Sequence, residues 1–175
     1  MAAVTLPTFE QLKKNYPTGS GFAKVKADIG GELTQGWLGD NTCVIRMSKA
    51  FNYASGSRFV IPGARAGMLT VKGADKLNYA IRVTEFIDYL SAQYGAADIA
   101  KLGEAVDIEL FLGKTGIIAW SVNGWGDARG HFTLWNGREG LYVGGHDYWA
   151  MPKKKLPPVA GITPPYLIKS QLWIC

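Results

Sequence analysis

At 175 residues the chain holds enough material for one domain with a sizeable core, and 47% hydrophobic against 19% charged residues is an ordinary globular balance. Two cysteines, Cys43 and Cys175, are too few for a disulfide scaffold, and with only two histidines a structural zinc site is not expected. A formal net charge of +5 and a pI of about 9.2 leave nucleic acid, anionic lipid and bacterial wall polymer as partners. Helix-turn-helix, RNA-recognition and zinc-finger patterns are absent, so nucleic acid is not expected. The one basic run, Lys153 to Lys155 between prolines, reads as a solvated loop.

No stretch reaches the ~20 apolar residues that span a bilayer, so membrane insertion is not expected. Glu10, Gln11, Lys13 and Lys14 stand where a signal peptide needs apolar residues. The expectation is a chain made in the cytosol that reaches any outside target by a route reading no N-terminal signal.

In chain order, Thr8 to Tyr16 reads as a short helix with Thr8 as cap, Gln11 at the capping-box position and Pro17 as stop. Asp28 to Gly36 is glycine-rich, with room for a turn or a short second helix. Asn41 or Thr42 caps the next helix, in which Cys43, Met47, Ala50 and Phe51 share one face; its end is expected near Asn52 to Gly56. Gly67 to Lys72 suggests a strand. Asn78 to Tyr94 carries Tyr79, Val83, Phe86, Ile87 and Leu90 at helical spacing, with Gly95 as stop. Ala97 to Leu102 reads as a short helical or loop piece.

The second half changes character. Leu110 to Leu112, Gly116 to Val122, His131 to Trp135 and Leu141 to Val143 are short β-type runs, with Asn136-Gly137 as a turn. Tyr166 to Ile168 and Gln171 to Ile174 are late strand candidates. Helices followed by an antiparallel sheet predict an α+β fold, in a single domain over residues 1–175.

Cys43 opens a helix, and His131 starts a strand-like run. A thiol of ordinary pKa is mostly protonated at neutral pH, and a helix N-terminus and a neighbouring imidazole both favour the nucleophilic thiolate. Such an imidazole also returns a proton to a leaving amine. As the group that orients His131, Asp147 is the first choice, ahead of Asp127 and Asp107; Asn136, at the hairpin turn, is a candidate for oxyanion or substrate binding, and His146 is not expected to be catalytic. Asn41 is a candidate for holding an oxyanion beside the Cys43 N–H, or for capping alone. Arg46 has the choice of a substrate carboxylate or a structural ion pair. Trp125, in the glycine-rich approach from Gly124 to Gly130, is a candidate wall of a substrate groove. The same residues leave room for other readings: each of Cys43 and His131 by itself fits a structural role, and the pair serves a hydrolase or transglutaminase-like enzyme on protein amides equally well. A basic wall-binding module with Cys43 merely buried is the non-enzymatic alternative.

Asn41-Thr42-Cys43-Val44-Ile45-Arg46-Met47-Ser48 and Ala128 to Gly137 (ARGHFTLWNG) together resemble the type VI secretion amidase effector 4 family. Val71 to Asp75 before Tyr79, the Phe86 to Leu90 helix and the terminal Leu172-Trp173-Ile174 fit it too, so the likeness runs from about Phe9 to the end. The resemblance implies a papain-like, NlpC/P60-type core with the nucleophile helix packed on an antiparallel sheet. It implies a cysteine amidase that cuts the peptidoglycan stem between γ-D-glutamate and meso-diaminopimelate, with Cys43 and His131 as its dyad and no cofactor or metal. It further implies passage through the type VI apparatus into the periplasm of a rival and neutralisation by a cognate immunity protein. The third position departs from the pattern. The family's aspartate follows the His-strand turn more closely, whereas Arg138 to Gly145 offers only Glu139, and Asp147 is the nearest aspartate. The family's extra cysteines after that turn are missing as well, so Cys175 is not expected to repeat a family disulfide.

Overall fold

A computed structural model describes residues 4–19, 21–64, 67–103, 108–124, 129–139, 141–143 and 166–175. Its contacts gather into two compact units, Met1–Ala96 and Ala97–Cys175. The first carries the helices and a small two-stranded sheet, the second an antiparallel sheet, which is the α+β order the sequence predicts.

In the first unit, α1 (Phe9–Asn15) has the full capping box: Thr8 Oγ1 accepts from the Gln11 N–H, and Gln11 Oε1 accepts from the Thr8 N–H. α2 (Phe22–Ile29) lies ahead of the segment where a second helix had room to form. It starts after Gly21 without a side-chain cap and buries only Val25 and Ile29, so neither a start signal nor a wide apolar stripe marks it in the sequence. A single 3-10 turn, Gly31–Thr34, follows. α3 (Cys43–Asn52) is buried almost all round, including the polar Ser48 and Asn52.

Those two polar side chains are satisfied by the strand pair β1 (Thr70–Lys72) and β2 (Asn78–Ala80) and its approach. Ser48 Oγ accepts from the Ala80 N–H at 3.0 Å, and Asn52 Nδ2 donates to the Asn78 carbonyl at 2.8 Å. Asn52 Oδ1 takes the Ile61 N–H at 2.8 Å. The single helix expected over Asn78 to Tyr94 is therefore divided: residues 78–80 pair antiparallel with 70–72, and α4 spans Val83–Tyr94. The cause lies in the turn between the strands. Asp75 Oδ1 accepts from the Leu77 N–H and Asp75 Oδ2 from the Tyr79 and Tyr53 hydroxyls, which folds the chain back before helix can begin. Gly95, at φ 95°, ends α4 as expected.

The second unit is one sheet in the order β3-β7-β4-β5-β6, antiparallel throughout, from β3 (Ile99–Leu102), β4 (Thr115–Asn123), β5 (Gly130–Asn136), β6 (Leu141–Val143) and β7 (Tyr166–Ile174). Three sequence expectations change here. Ala97 to Leu102 holds a strand, because β3 pairs with β7 some seventy residues away (Ile99 opposite Leu172), a partner that local pattern does not reveal. Leu110 to Leu112 forms a 3-10 and turn segment, in which the Phe111 carbonyl receives the Trp135 Nε1–H at 2.8 Å. The two late strand candidates are one strand, β7, with an irregularity where Ser121 gives way to Val122 on β4. On one face of the sheet Ile118, Trp120, Val122, Trp135, Leu167 and Leu172 pack with Phe111. Ile117, Ala119, Phe132, Leu134 and Trp173, on the alternate face, are equally buried.

Two outcomes follow for the first unit. Gly31 has φ 66°, and a Cβ there would stand 2.6 Å from the Lys72 carbonyl oxygen and 2.7 Å from the Ala74 nitrogen. Gly31→Ala is expected to lower unfolding free energy by about 2–4 kcal/mol, read by urea denaturation. For Asp75, burial raises the carboxyl pKa, but the hydrogen bonds from Tyr79, Tyr53 and the Leu77 N–H outweigh it and the net shift is downward from 3.8. A depressed folded pKa contributes stability that is present above the unfolded value and is lost as pH falls through the folded one. Wild type should therefore lose more stability than Asp75→Asn as pH drops below about 4, measured as the shift in thermal midpoint of each between pH 5 and pH 3.

Candidate active site

Cys43 is the first residue of α3 and is 4% exposed. Its N–H donates to Asn41 Oδ1 at 3.2 Å, while Thr42, the N-cap, makes no capping hydrogen bond with its own side chain. The sequence left Asn41 between an oxyanion role and a cap, and in the structure its carbonyl oxygen occupies the Cys43 donor. A helix N-terminus favours negative charge because its first N–H groups point outward unsatisfied. The sulfur thus stands in the field that supports a thiolate.

Arg46 lies one turn further on. Its Nε donates to Thr42 Oγ1 at 3.2 Å, and an Nη donates to the Pro17 carbonyl at 2.8 Å. The guanidinium joins the cap of α3 to the residue that ends α1. These two hydrogen bonds go to a hydroxyl and a carbonyl. At the other end of α3, Asn15 Nδ2 donates to the Tyr53 carbonyl at 3.0 Å, so α1 grips α3 at both ends. The approach to α3 is fixed from α2, since Lys26 Nζ donates to the Leu38 carbonyl at 3.1 Å and the Gly39 carbonyl at 3.3 Å. Sequence reasoning did not single out Lys26, Ser48 or Asn52. The last two are polar side chains at i and i+4 in a helix that also carries Arg46 and Lys49, so spacing alone does not mark them.

In the second unit His131 is the second residue of β5 and is half-buried. It pairs across the ladder with Trp120 of β4. Asn136, five residues along the same strand, falls on the opposite face. It is buried, pairs with Thr115 and Leu141, and its carbonyl accepts from the Glu139 N–H at 3.2 Å. Asn136, a candidate for oxyanion or substrate binding in the sequence, therefore shapes the β5–β6 turn and does not share the imidazole's face. Trp125, Asp127, Asp107, His146 and Asp147 lie outside the described residues, as does the run from Lys153 to Lys155.

The two cysteines differ in setting. Burial, helped by the negative charge of Asp98, pushes the Cys175 thiol up to about 12, which holds it protonated at neutral pH. Cys43 alone of the two opens a helix. Among the described residues no group of three or more His, Cys, Asp or Glu side chains stands ready to hold a metal ion, and no helix is long and apolar enough to cross a membrane.

Residues 40–155 match the family model described as type VI secretion system (T6SS), amidase effector protein 4, Tae4. The chain is similar in structure to the effector Tae4 of Salmonella typhimurium bound to the immunity protein Tai4 of Enterobacter cloacae, with TM-score 0.76 and 30% identity over 97% of this chain and 99% of that one. The Salmonella Typhimurium Tae4–Tai4 complex gives TM-score 0.77 at the same identity and coverage. Tae4 of Enterobacter cloacae gives TM-score 0.77 and 27% identity over 99% of both chains. No curated protein matches the chain. The fold is accordingly α+β of the papain-like NlpC/P60 type.

Loss of the Arg46 guanidinium removes two charge-assisted hydrogen bonds from the start of α3. Arg46→Ala should lower stability by about 2 kcal/mol, and Arg46→Lys should recover only part of it, because an ammonium cannot serve two divergent acceptors as a fork does. Chemical denaturation of the three proteins reads this directly.

Proposed function

This chain belongs to the type VI secretion system amidase effector protein 4 family, and from that membership we propose how its own residues perform the amidase reaction and on what bond. The substrate is the peptide stem of peptidoglycan in the periplasm of a target bacterium, cut between γ-D-glutamate and meso-diaminopimelate. Cys43 is the nucleophile, His131 the acid–base group, and Asp147 the carboxylate that orients the imidazole. A Tai4-type immunity protein would guard the producing cell by covering this site, as its counterparts complex the relatives.

The observation that carries the reading is Cys43 at the first position of a buried ten-residue helix whose start is fixed by Asn41, Thr42 and Arg46. Attack by the Cys43 thiolate on the amide carbonyl carbon forms the C–S bond and puts negative charge on oxygen. The imidazolium of His131 gives its proton to the leaving amine as the C–N bond breaks, leaving a thioester. Water, deprotonated by the now neutral His131, then attacks the thioester and returns sulfur as the thiolate. Asn41 contributes to oxyanion binding through its Nδ2 donors, because its Oδ1 is already committed to the Cys43 N–H. Trp125 is assigned to contact with the stem peptide.

The test is mass analysis of fragments released from Gram-negative sacculi. Wild type should release stems cut at the γ-D-glutamyl bond, and Cys43→Ala and His131→Ala should each lose about 10³-fold or more in rate. Asp147→Asn should show a smaller loss. Wild-type protein that releases no stem fragment would overturn the assignment of substrate, and full activity in Cys43→Ala would overturn the mechanism.

A further inference from the structure

Three strands of the sheet place Ser170, Trp120 and His131 in one lateral row. Trp120 of β4 is opposite His131 of β5 on one side and opposite Ser170 of β7 on the other. Directly paired residues of an antiparallel sheet project from the same face, with Cβ atoms about 4.5–5.5 Å apart. The ladder phase assigns the two pairs different spacings. Val122 N–H donates to the Arg129 carbonyl, so pairs in step with it, Trp120–His131 among them, are the hydrogen-bonded kind. Cys175 N–H donates to the Thr115 carbonyl, which puts Trp120–Ser170 in the closer, non-hydrogen-bonded phase.

Trp120 is 0% exposed. Its ring meets Phe111 edge-on, with centroids 6.2 Å apart, and belongs to the cluster with Ile118, Val122, Leu167 and Leu172. The indole is thus fixed by its surroundings, whereas His131 is only half-buried. A half-exposed imidazole on a strand has several rotamers open to it unless one flank is closed. We infer that Trp120 is a positioning residue for His131: its immobile indole closes the β4 flank of the imidazole, restricts the ring's rotamers, and keeps water from that side. This rests on the reading of His131 as the acid–base group. Ser170 supplies an internal control in the same row. Its hydroxyl is fully buried and makes no hydrogen bond among the described residues, so Ser170→Ala changes the row without touching the imidazole flank.

The experiment compares Trp120→Phe, Trp120→Leu, Ser170→Ala and His131→Ala on a soluble stem peptide, with side-chain NMR of histidine in the full chain. The protein has two histidines, so His131→Ala identifies the His131 signals. Expected is a fall in kcat of about tenfold or more for Trp120→Leu with KM within twofold, near-wild-type kcat for Trp120→Phe and Ser170→Ala, and His131 ring signals that broaden or double only in Trp120→Leu. Thermal unfolding followed by circular dichroism corrects each rate for the folded fraction. Trp120→Leu with wild-type kcat per folded molecule, or with unchanged His131 signals, overturns the inference. If His131→Ala itself keeps full activity, the parent reading of the imidazole fails and the positioning role fails with it, a result distinct from an active Trp120→Leu beside an inactive His131→Ala.

Discussion

The placement of Cys43 depends on how the start of α3 is held. Thr42 has no capping hydrogen bond of its own, so the first turn is secured from outside: by the Asn41 side chain on the Cys43 N–H, and by Arg46 bridging Thr42 to the Pro17 carbonyl. Frayed ends are the usual fate of a helix whose first N–H groups lack partners. A frayed α3 would move the sulfur out of the helix field and into water. Buried polar contacts further along the helix, Ser48 to Ala80 and Asn52 to Ile61 and Asn78, fix its rotation about its own axis. An unmet Ala80 N–H or Ile61 N–H would cost about 1–3 kcal/mol each, which gives the unit one orientation of α3 and hence one direction for Cys43.

The sheet exerts the matching constraint on His131. A slip of one residue between β4 and β5 would send the imidazole to the other face and bring Phe132 to its place. The register is pinned at both ends of the hairpin. Gly137 N–H donates to the Lys114 carbonyl at 2.8 Å and Gly113 N–H to the Gly137 carbonyl at 2.9 Å at one end, and Val122 N–H to the Arg129 carbonyl at 3.0 Å at the other. Gly137 leaves no room for a side chain, because a Cβ would overlap the carbonyl oxygens of both Lys114 and Phe111. β7 completes the frame by entering between β3 and β4, so the central strand carrying Trp120 is paired on both edges.

Electrostatics separates groups that composition alone treats as equivalent. Cys175 is held as a thiol by burial and by the Asp98 charge, while Cys43 is placed at a helix start. Asp75 is kept ionised by two phenols and a backbone N–H, and burial together with that carboxylate pushes the Tyr79 hydroxyl upward. Asp75 thereby works as a turn former that sets β2 beside β1 and lets Asn78 and Ala80 present their backbone to α3.

Local physics was legible in the sequence wherever the deciding partners are near neighbours. The capping box of Thr8 and Gln11, the helix opening at Cys43, the stop at Gly95 and the Asn136-Gly137 turn each depend on groups within a few residues, and each is present. Cys43 and His131 were singled out by type and setting on the same basis, and the motifs around them carried the family resemblance. Remote partners decided the rest. Asn78 to Ala80 has helical spacing with Val83 and Phe86 yet becomes strand because Asp75 folds the chain back onto β1. Ala97 to Leu102 becomes strand because β7 arrives from the far end of the chain. Arg46 found a backbone partner, the Pro17 carbonyl, that no spacing rule names, and Trp120 became the neighbour of His131 only through the register of two strands. Caps, stops and apolar spacing act within a few residues, and so the sequence determined the elements whose limits such neighbours set. Hydrogen-bond partners brought together across long stretches of chain are selected by closure of the whole fold, and only the tertiary structure decided those.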